Sequence, residues 1–194
     1  MTKLLAPLLA LACSAWASTQ EFHLGAPVSD FTVYDLDGRS HNFSELKGDV
    51  TVVVFISVQC PVSNAYNGRM EALYNEFSSR GVKFVFLNAN ATEPPESVRD
   101  HAKRAGFTFP VYKDVNNVAA DKFGAESTPE TYVIDASGVL RYHGYIDNSQ
   151  NPARITKLGL RPAIEAVLAR KTVETPETKA FGCTIRRVRR VGFE

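Results

Sequence analysis

"TVVVFISVQCPVSNAYNGRMEAL", Thr51 to Leu73, joins an unbroken apolar run to a helical pattern through a single cysteine. The β-branched and aromatic run that ends at Ser57 reads as a strand covered on both faces. Pro61 directly after Cys60 suits the first turn of a helix, where its missing N–H would go unused. From Val62 to Arg80, Met70, Leu73, Tyr74 and Phe77 recur at helical spacing, and Gly81 supplies a stop. A sulfur at this junction meets the unpaired N–H groups of a helix start. These favour the thiolate over a thiol whose ordinary pKa is about 8.5. The competing reading is that Cys60 is a small apolar residue closing a core strand.

Working outward, "FTVYDLDGRSHNFSEL" predicts a strand, an Asp37-Gly38 turn and a return segment, an N-terminal hairpin. "VKFVFLNAN" is a second buried strand, and "TEPPESVRDHAKRAG" a helix with prolines at its start and a glycine at its end. The order strand, helix, strand, helix implies parallel pairing with right-handed crossovers. "FTFPVYKD" predicts a short extended piece, and "VNNVAADKFG" a short helix ending at Gly124. "STPETYVIDASGVLRYHGYI" reads as a hairpin around Ala136-Ser137-Gly138, followed by a closing helix over 158–171. Residues 172–194 show little periodicity and read as a tail.

The chain has 194 residues, 44% hydrophobic and 22% charged, enough for the core of one ordinary domain. Its 22 basic and 21 acidic residues nearly cancel, so nothing calls for nucleic acid as a partner. His23, His41, His101 and His143 are scattered, and neither a metal site nor a cofactor is expected. "MTKLLAPLLALACSAWAS" has the pattern of a secretory leader, residues 1–17, cleaved after Ala17. The expected location is therefore outside the cytoplasm, in the periplasm. The alternative is a lipoprotein signal at Cys13, although Ala10 stands where such signals usually carry leucine. Cleavage removes Cys13 and Trp16, leaving two thiols, Cys60 and Cys183, in the mature chain. Two cysteines in an exported protein invite a disulfide.

Thr128-Pro129 stands just before a buried strand, a place for a tight-turn proline. With this pair, with "DFTVYDLDGRSHNFSELKGDVTVVVFISVQCP", and with "STPETYVIDASGVLRYHGYID", the chain resembles the redoxin (AhpC/TSA) branch of the thioredoxin-like superfamily from about Gly25 to Lys171. The resemblance implies an α/β fold, with a central mixed sheet flanked by helices, an N-terminal hairpin extension and a C-terminal tail. Residues 18–171 would form that domain. It also implies that Cys60 is the nucleophile and that Thr128 and Pro129 shape a groove offering a backbone edge to an extended substrate. Ser57 and Pro61 complete the expected substrate-binding set. Thioredoxins carry Trp before the nucleophile and a second Cys three places after it, where this chain has Gln59 and Ser63. Peroxiredoxins carry Pro-x-x-x-Thr-x-x-Cys, where this chain has Val53 and Ser57, and no arginine is evidently placed to hold a peroxide.

The candidate partner thiol is Cys183 in "KAFGCTIRRVRRVGFE", where Gly182 permits close approach and a sharp turn. The leading expectation is a Cys60–Cys183 bond, with Cys183 resolving an oxidised Cys60. Three alternatives stand: a purely structural bond worth about 4–5 kcal/mol by loop entropy, a bond between two chains, or a free Cys183. The arginines Arg186, Arg187, Arg189 and Arg190 read first as a solvated tail and second as a contact for an anion. Asn64, Tyr66 and Asn67 are lesser candidates for lining the site. The function expected is an exported thiol–disulfide oxidoreductase acting on a protein disulfide, with an external thiol reductant. A peroxiredoxin-like peroxidase is the alternative enzyme, and a non-catalytic binding module with a structural disulfide is the alternative from another class.

Overall fold

The computed structural model describes residues 22–189. The leader, with Cys13 and Trp16, and Arg190 lie outside the described residues.

Among the described residues, nine strands and six α-helices follow one another as β1 (Thr32–Tyr34), β2 (Ser40–Asn42), α1 (Phe43–Leu46), β3 (Thr51–Ile56), α2 (Pro61–Ala65), α3 (Asn67–Ser78), β4 (Lys83–Asn88), α4 (Pro95–Ala105), β5 (Val111–Lys113), α5 (Val118–Phe123), β6 (Ser127–Thr128), β7 (Glu130–Ile134), β8 (Leu140–Gly144), α6 (Leu160–Leu168) and β9 (Cys183–Thr184). Seven strands form one mixed sheet in the order β2-β1-β5-β4-β3-β7-β8. β3 lies at its interior, parallel to β4 (Val52 opposite Phe84) and antiparallel to β7 (Val52 opposite Val133). All six residues of β3 are buried, the outcome expected of an apolar run with no alternation.

The pleat of β3 divides the core in two. Val52, Val54 and Ile56 face Met70, Leu73 and Phe77 of α3, Val98 of α4, and Leu160, Ile164 and Val167 of α6. Val53 and Phe55 face the other way, toward Phe43 of α1, Ala119 and Phe123 of α5, and Phe22 and Phe31. This second half is aromatic: the Phe123 ring meets Phe22 edge-on at 4.8 Å and Phe31 at 5.7 Å.

The sequence patterns place these elements with three differences. The helix expected from Val62 to Arg80 is two helices, because the N–H of Tyr66 bonds back three residues to Ser63 (3.0 Å) and tightens the turn there. The closing helix is shorter than 158–171, covering Leu160–Leu168. The tail is not a loose appendage. On the edge of β8, His143 donates its N–H to Pro176 O of the tail and accepts the N–H of Thr178; β9 pairs antiparallel with β6, and Ile185 is buried in the aromatic half of the core. Its signal was hidden because a two-residue strand has no periodicity to display.

Phe123 is fully buried and touches four aromatic rings. Phe123→Ala should therefore cost about 3–5 kcal/mol of stability. Urea denaturation would read this as a lower midpoint at unchanged slope.

Candidate active site

Cys60 caps the N-terminus of α2, with Pro61 in the first helical position. Its side chain is buried at 1% exposure, and its Sγ accepts the N–H of Ser63 at 3.2 Å. Ser63 stands where a Cys-x-x-Cys pair would be completed. Here it serves the loop instead, giving its N–H to Cys60 and accepting the N–H of Ser57 on its hydroxyl (3.2 Å).

Cys60 is joined to Cys183 by a disulfide, with Cα atoms 5.7 Å apart and 123 residues between them in sequence. Thr128-Pro129 is a cis peptide, and the carbonyl oxygen of Thr128 lies 3.3 Å from Cys60 Sγ. The pairing of β6 with β9 sets Thr128 directly opposite Cys183. Gly182 makes that approach feasible. Its φ is +153°, and a Cβ there would run into the Thr128 carbonyl. Cys60, Thr128, Pro129, Pro61 and Cys183 thus share one locus, and Ser57 lies in the wall behind it.

That wall is polar and charged. Glu93, 2% exposed, accepts the Ser57 hydroxyl (2.6 Å) and the N–H groups of Val58 (3.1 Å) and Gln59 (3.0 Å). Ser57 Oγ in turn accepts the N–H of Cys60 at 3.2 Å. Burial opposes the Glu93 charge, but the Ser57 hydroxyl, the Asn88 amide and the two backbone N–H groups outweigh it and hold the carboxyl below its usual range. Lys113, also buried, donates to Asn88 Oδ1 (2.5 Å), Asn90 O (3.1 Å) and Glu93 O (2.7 Å). Burial pushes its amine down to about 8.

A second buried carboxylate follows the cis proline. Glu130 accepts the N–H groups of Glu126 (3.0 Å) and Ser127 (2.9 Å), the Tyr132 hydroxyl (2.7 Å), and contacts His143 Nε2 at 2.6 Å. It holds the backbone that leads into Thr128-Pro129. Neither Glu93 nor Glu130 was among the residues the sequence singled out. The available signal was a charge beside an apolar strand: Glu130 opens β7, and Glu93 follows the asparagines that end β4.

The lesser candidates lie around this centre. Asn64 donates to Val58 O at 3.1 Å, and Asn67 meets His101 at 3.4 Å. Tyr66 is buried, its hydroxyl on Asp147 (2.9 Å) and its ring under the Arg69 guanidinium. Arg187 is not solely a solvated cation, since it pairs with Asp121 at 2.8 Å and caps Ala125 O at 2.7 Å. Among the described residues, no group of three or more His, Cys, Asp or Glu side chains gathers in a way that would hold a metal ion.

A buried helix-cap cysteine, a cis proline and a seven-stranded mixed sheet define a thioredoxin-like redoxin. The AhpC/TSA family model matches residues 24–143, and the chain belongs to that family. The thiol-disulfide oxidoreductase ResA of Halalkalibacterium halodurans is 31% identical over 120 residues, covering 61% of this chain and 67% of that protein. An uncharacterized conserved protein from Geobacillus kaustophilus superposes with a TM-score of 0.80 at 28% identity, covering 88% of this chain and 95% of that one. A hypothetical protein from Sinorhizobium meliloti 1021 gives a TM-score of 0.77 at 28% identity, over 86% of this chain and 96% of that one.

The buried charges set a pH dependence. The folded pKa of Lys113 lies below its ordinary 10.5, at about 8, so the unfolded chain binds more protons between these values. Its contribution is present in full above 10.5 and is lost as pH falls through 8. Glu93 and Glu130 are held below their ordinary 4.5, so their contribution is complete above that value and is lost on acidification through the lowered folded pKa. Denaturation midpoints measured against pH should rise in the alkaline window for the native chain. They should lack that rise in Lys113→Met.

Proposed function

We propose that this chain is a thiol–disulfide oxidoreductase in which Cys60 is the nucleophile and Cys183 the resolving thiol. The observation that carries the reading is the Cys60–Cys183 bond itself, set against the cis Thr128-Pro129 loop. The name of the ResA relative supports the same reaction class.

The Cys60 thiolate, favoured by the Ser63 N–H, attacks a substrate disulfide and releases one substrate sulfur as thiolate. Cys183 then attacks Cys60 Sγ in the mixed disulfide, the Cys60–Cys183 bond forms, and the second substrate thiolate departs. Two electrons have passed to the substrate, and an external thiol reductant restores the pair. The substrate is a protein disulfide whose extended segment pairs at the Thr128 edge. Pro61 starts the helix that sets the nucleophile, and Ser57 supports its loop. The leader pattern of residues 1–17 supports export to the periplasm, with residues 172–194 as an extension that brings Cys183 to the domain of residues 18–171.

The peroxidase alternative has less support. The Ser57 hydroxyl, which would have to serve the peroxide, gives its proton to Glu93. Val53, at the proline place of the peroxiredoxin pattern, is wholly buried in β3.

Cys183→Ser should stall with a model disulfide as a mixed disulfide on Cys60, detected by mass spectrometry, and lose at least about tenfold in turnover. The native chain should react sluggishly with hydrogen peroxide. Unimpaired turnover in Cys183→Ser would remove Cys183 from the mechanism, and rapid peroxide reduction would reassign the activity.

A further inference from the structure

The two sulfurs come from segments far apart in sequence, and one short stretch is hydrogen-bonded to both segments. Residues Asn88–Glu93 leave the C-terminal end of β4 and pass between the Cys60 loop and the tail. On one side, the Glu93 carboxylate takes the Ser57 hydroxyl and two successive N–H groups, those of Val58 and Gln59, immediately before Cys60. On the other side, Asn90 Oδ1 accepts the N–H of Arg186 at 2.7 Å, and the N–H of Ala91 donates to Arg186 O at 2.8 Å. Arg186 is three residues beyond Cys183. Lys113 ties the stretch together from below through Asn88 Oδ1, Asn90 O and Glu93 O. Asn90 and Glu93 are both buried, at 4% and 2% exposure, which is costly for polar groups unless their geometry is fixed.

We propose that this stretch is a two-armed clamp that sets the effective concentration of the two thiols, with Glu93 positioning the Cys60 loop and Asn90 positioning the Cys183 strand. The inference rests on the redox-pair reading above. Neither residue touches the sulfurs, and each acts through the backbone it holds. The chemistry fits the arrangement. Closing the ring requires Cys183 Sγ to attack Cys60 Sγ, and a tail held on both sides of Cys183, by Thr128 and by Asn90, loses little freedom at that step. The two arms are separable in principle. Loss of the Asn90 arm loosens only the tail, so the intrinsic behaviour of Cys60 stays the same. Loss of the Glu93 charge alters the surroundings of Cys60 even when no partner thiol exists. The groups facing Glu93 are Ser57 and the Cys60 loop from β3–α2, Asn88 from β4, Lys113 from β5 and His101 from α4, which senses its charge. Replacing the carboxylate by an amide removes a negative charge from beside the Cys60 loop, leaves Asp114 as the anion acting on Lys113, and favours the Cys60 thiolate.

The test equilibrates native protein, Asn90→Ala and Glu93→Gln with glutathione buffers and measures the effective concentration of the pair. It then repeats alkylation of Cys60 against pH in a Cys183→Ser background. Asn90→Ala should lower the effective concentration about five- to tenfold, the scale of one lost hydrogen bond, and leave the Cys60 pH profile unmoved. Glu93→Gln should move that profile to lower pH. Ser57→Ala, which removes the hydroxyl between Glu93 and the Cys60 N–H, should move it too, and serves if Glu93→Gln does not fold. A reversible native bond with an Asn90→Ala value within twofold of native, or an unmoved profile in both Cys60-side variants, overturns the clamp alone. A shift of the Cys60 profile in Asn90→Ala overturns it too, since that is what general loosening of the fold would give. A native bond that glutathione cannot reduce at all overturns the redox-pair reading, and the clamp with it.

Discussion

The pairing of Thr128 with Cys183 is the contact on which the site depends. A thiol placed 123 residues from its partner has no local reason to meet it, and the loop entropy of that separation must be offset by structure elsewhere. The fold does this by continuing the sheet's hydrogen-bonding logic into the tail. His143 binds the tail at Pro176 and Thr178, Thr128 receives it at Cys183, Glu126 at Ile185, Asn90 and Ala91 at Arg186, and Asn117 at Val188. The buried side chain of Ile185 adds an apolar anchor within this series. Gly182 is the one residue whose backbone lets the tail descend onto the Thr128 carbonyl.

A second constraint comes from burial. The loop that carries Cys60 turns inside the protein, so its N–H groups at Val58, Gln59 and Cys60 must find acceptors away from water. Glu93 and Ser57 supply them. A carboxylate is a strong acceptor for such groups, but its charge needs company, and Lys113 provides it through shared contacts with Asn88 and with the backbone of Asn90 and Glu93. Glu130 does the same for the turn before Pro129, where His143 Nε2 lies against its carboxylate at 2.6 Å. Both sides of the disulfide are therefore underpinned by one buried carboxylate each.

What the sequence revealed and what it concealed follow from the range of the interactions. The apolar run of β3, the Cys60-Pro61 junction, the hairpins and the glycine-ended helices are local signals, each written within about ten residues. Cys60, Thr128 and Pro129 could be singled out because few residue types do thiol chemistry and the family pattern gives their positions, and Cys183 because it is the other cysteine left once the leader is set aside. Glu93, Asn90, Lys113 and Glu130 were not, because a charged residue in a loop reads as solvated until the fold shows it enclosed. The tail strand was hidden for a related reason. Its stability lies in partners contributed by β6, β8 and the β4–α4 connection, and none of these is adjacent in sequence.

The location of β9 also constrains the catalytic cycle proposed for Cys60. A substrate segment adding to the Thr128 edge would use the same backbone groups that Thr128 and Ser127 give to Cys183 and Thr184. Tail and substrate therefore compete for one strand position, and the disulfide fixes the outcome while it lasts. Reduction removes the covalent tie and leaves the tail held by hydrogen bonds each worth only about 1 kcal/mol net, weak enough for a docking strand to displace in part. In the proposed cycle, return of the tail after the mixed disulfide forms would both deliver Cys183 to Cys60 and evict the spent substrate. One strand position would then serve binding, resolution and release in turn, and such a cycle would need no Cys-x-x-Cys neighbour, because the resolving thiol would arrive with the strand that replaces the substrate.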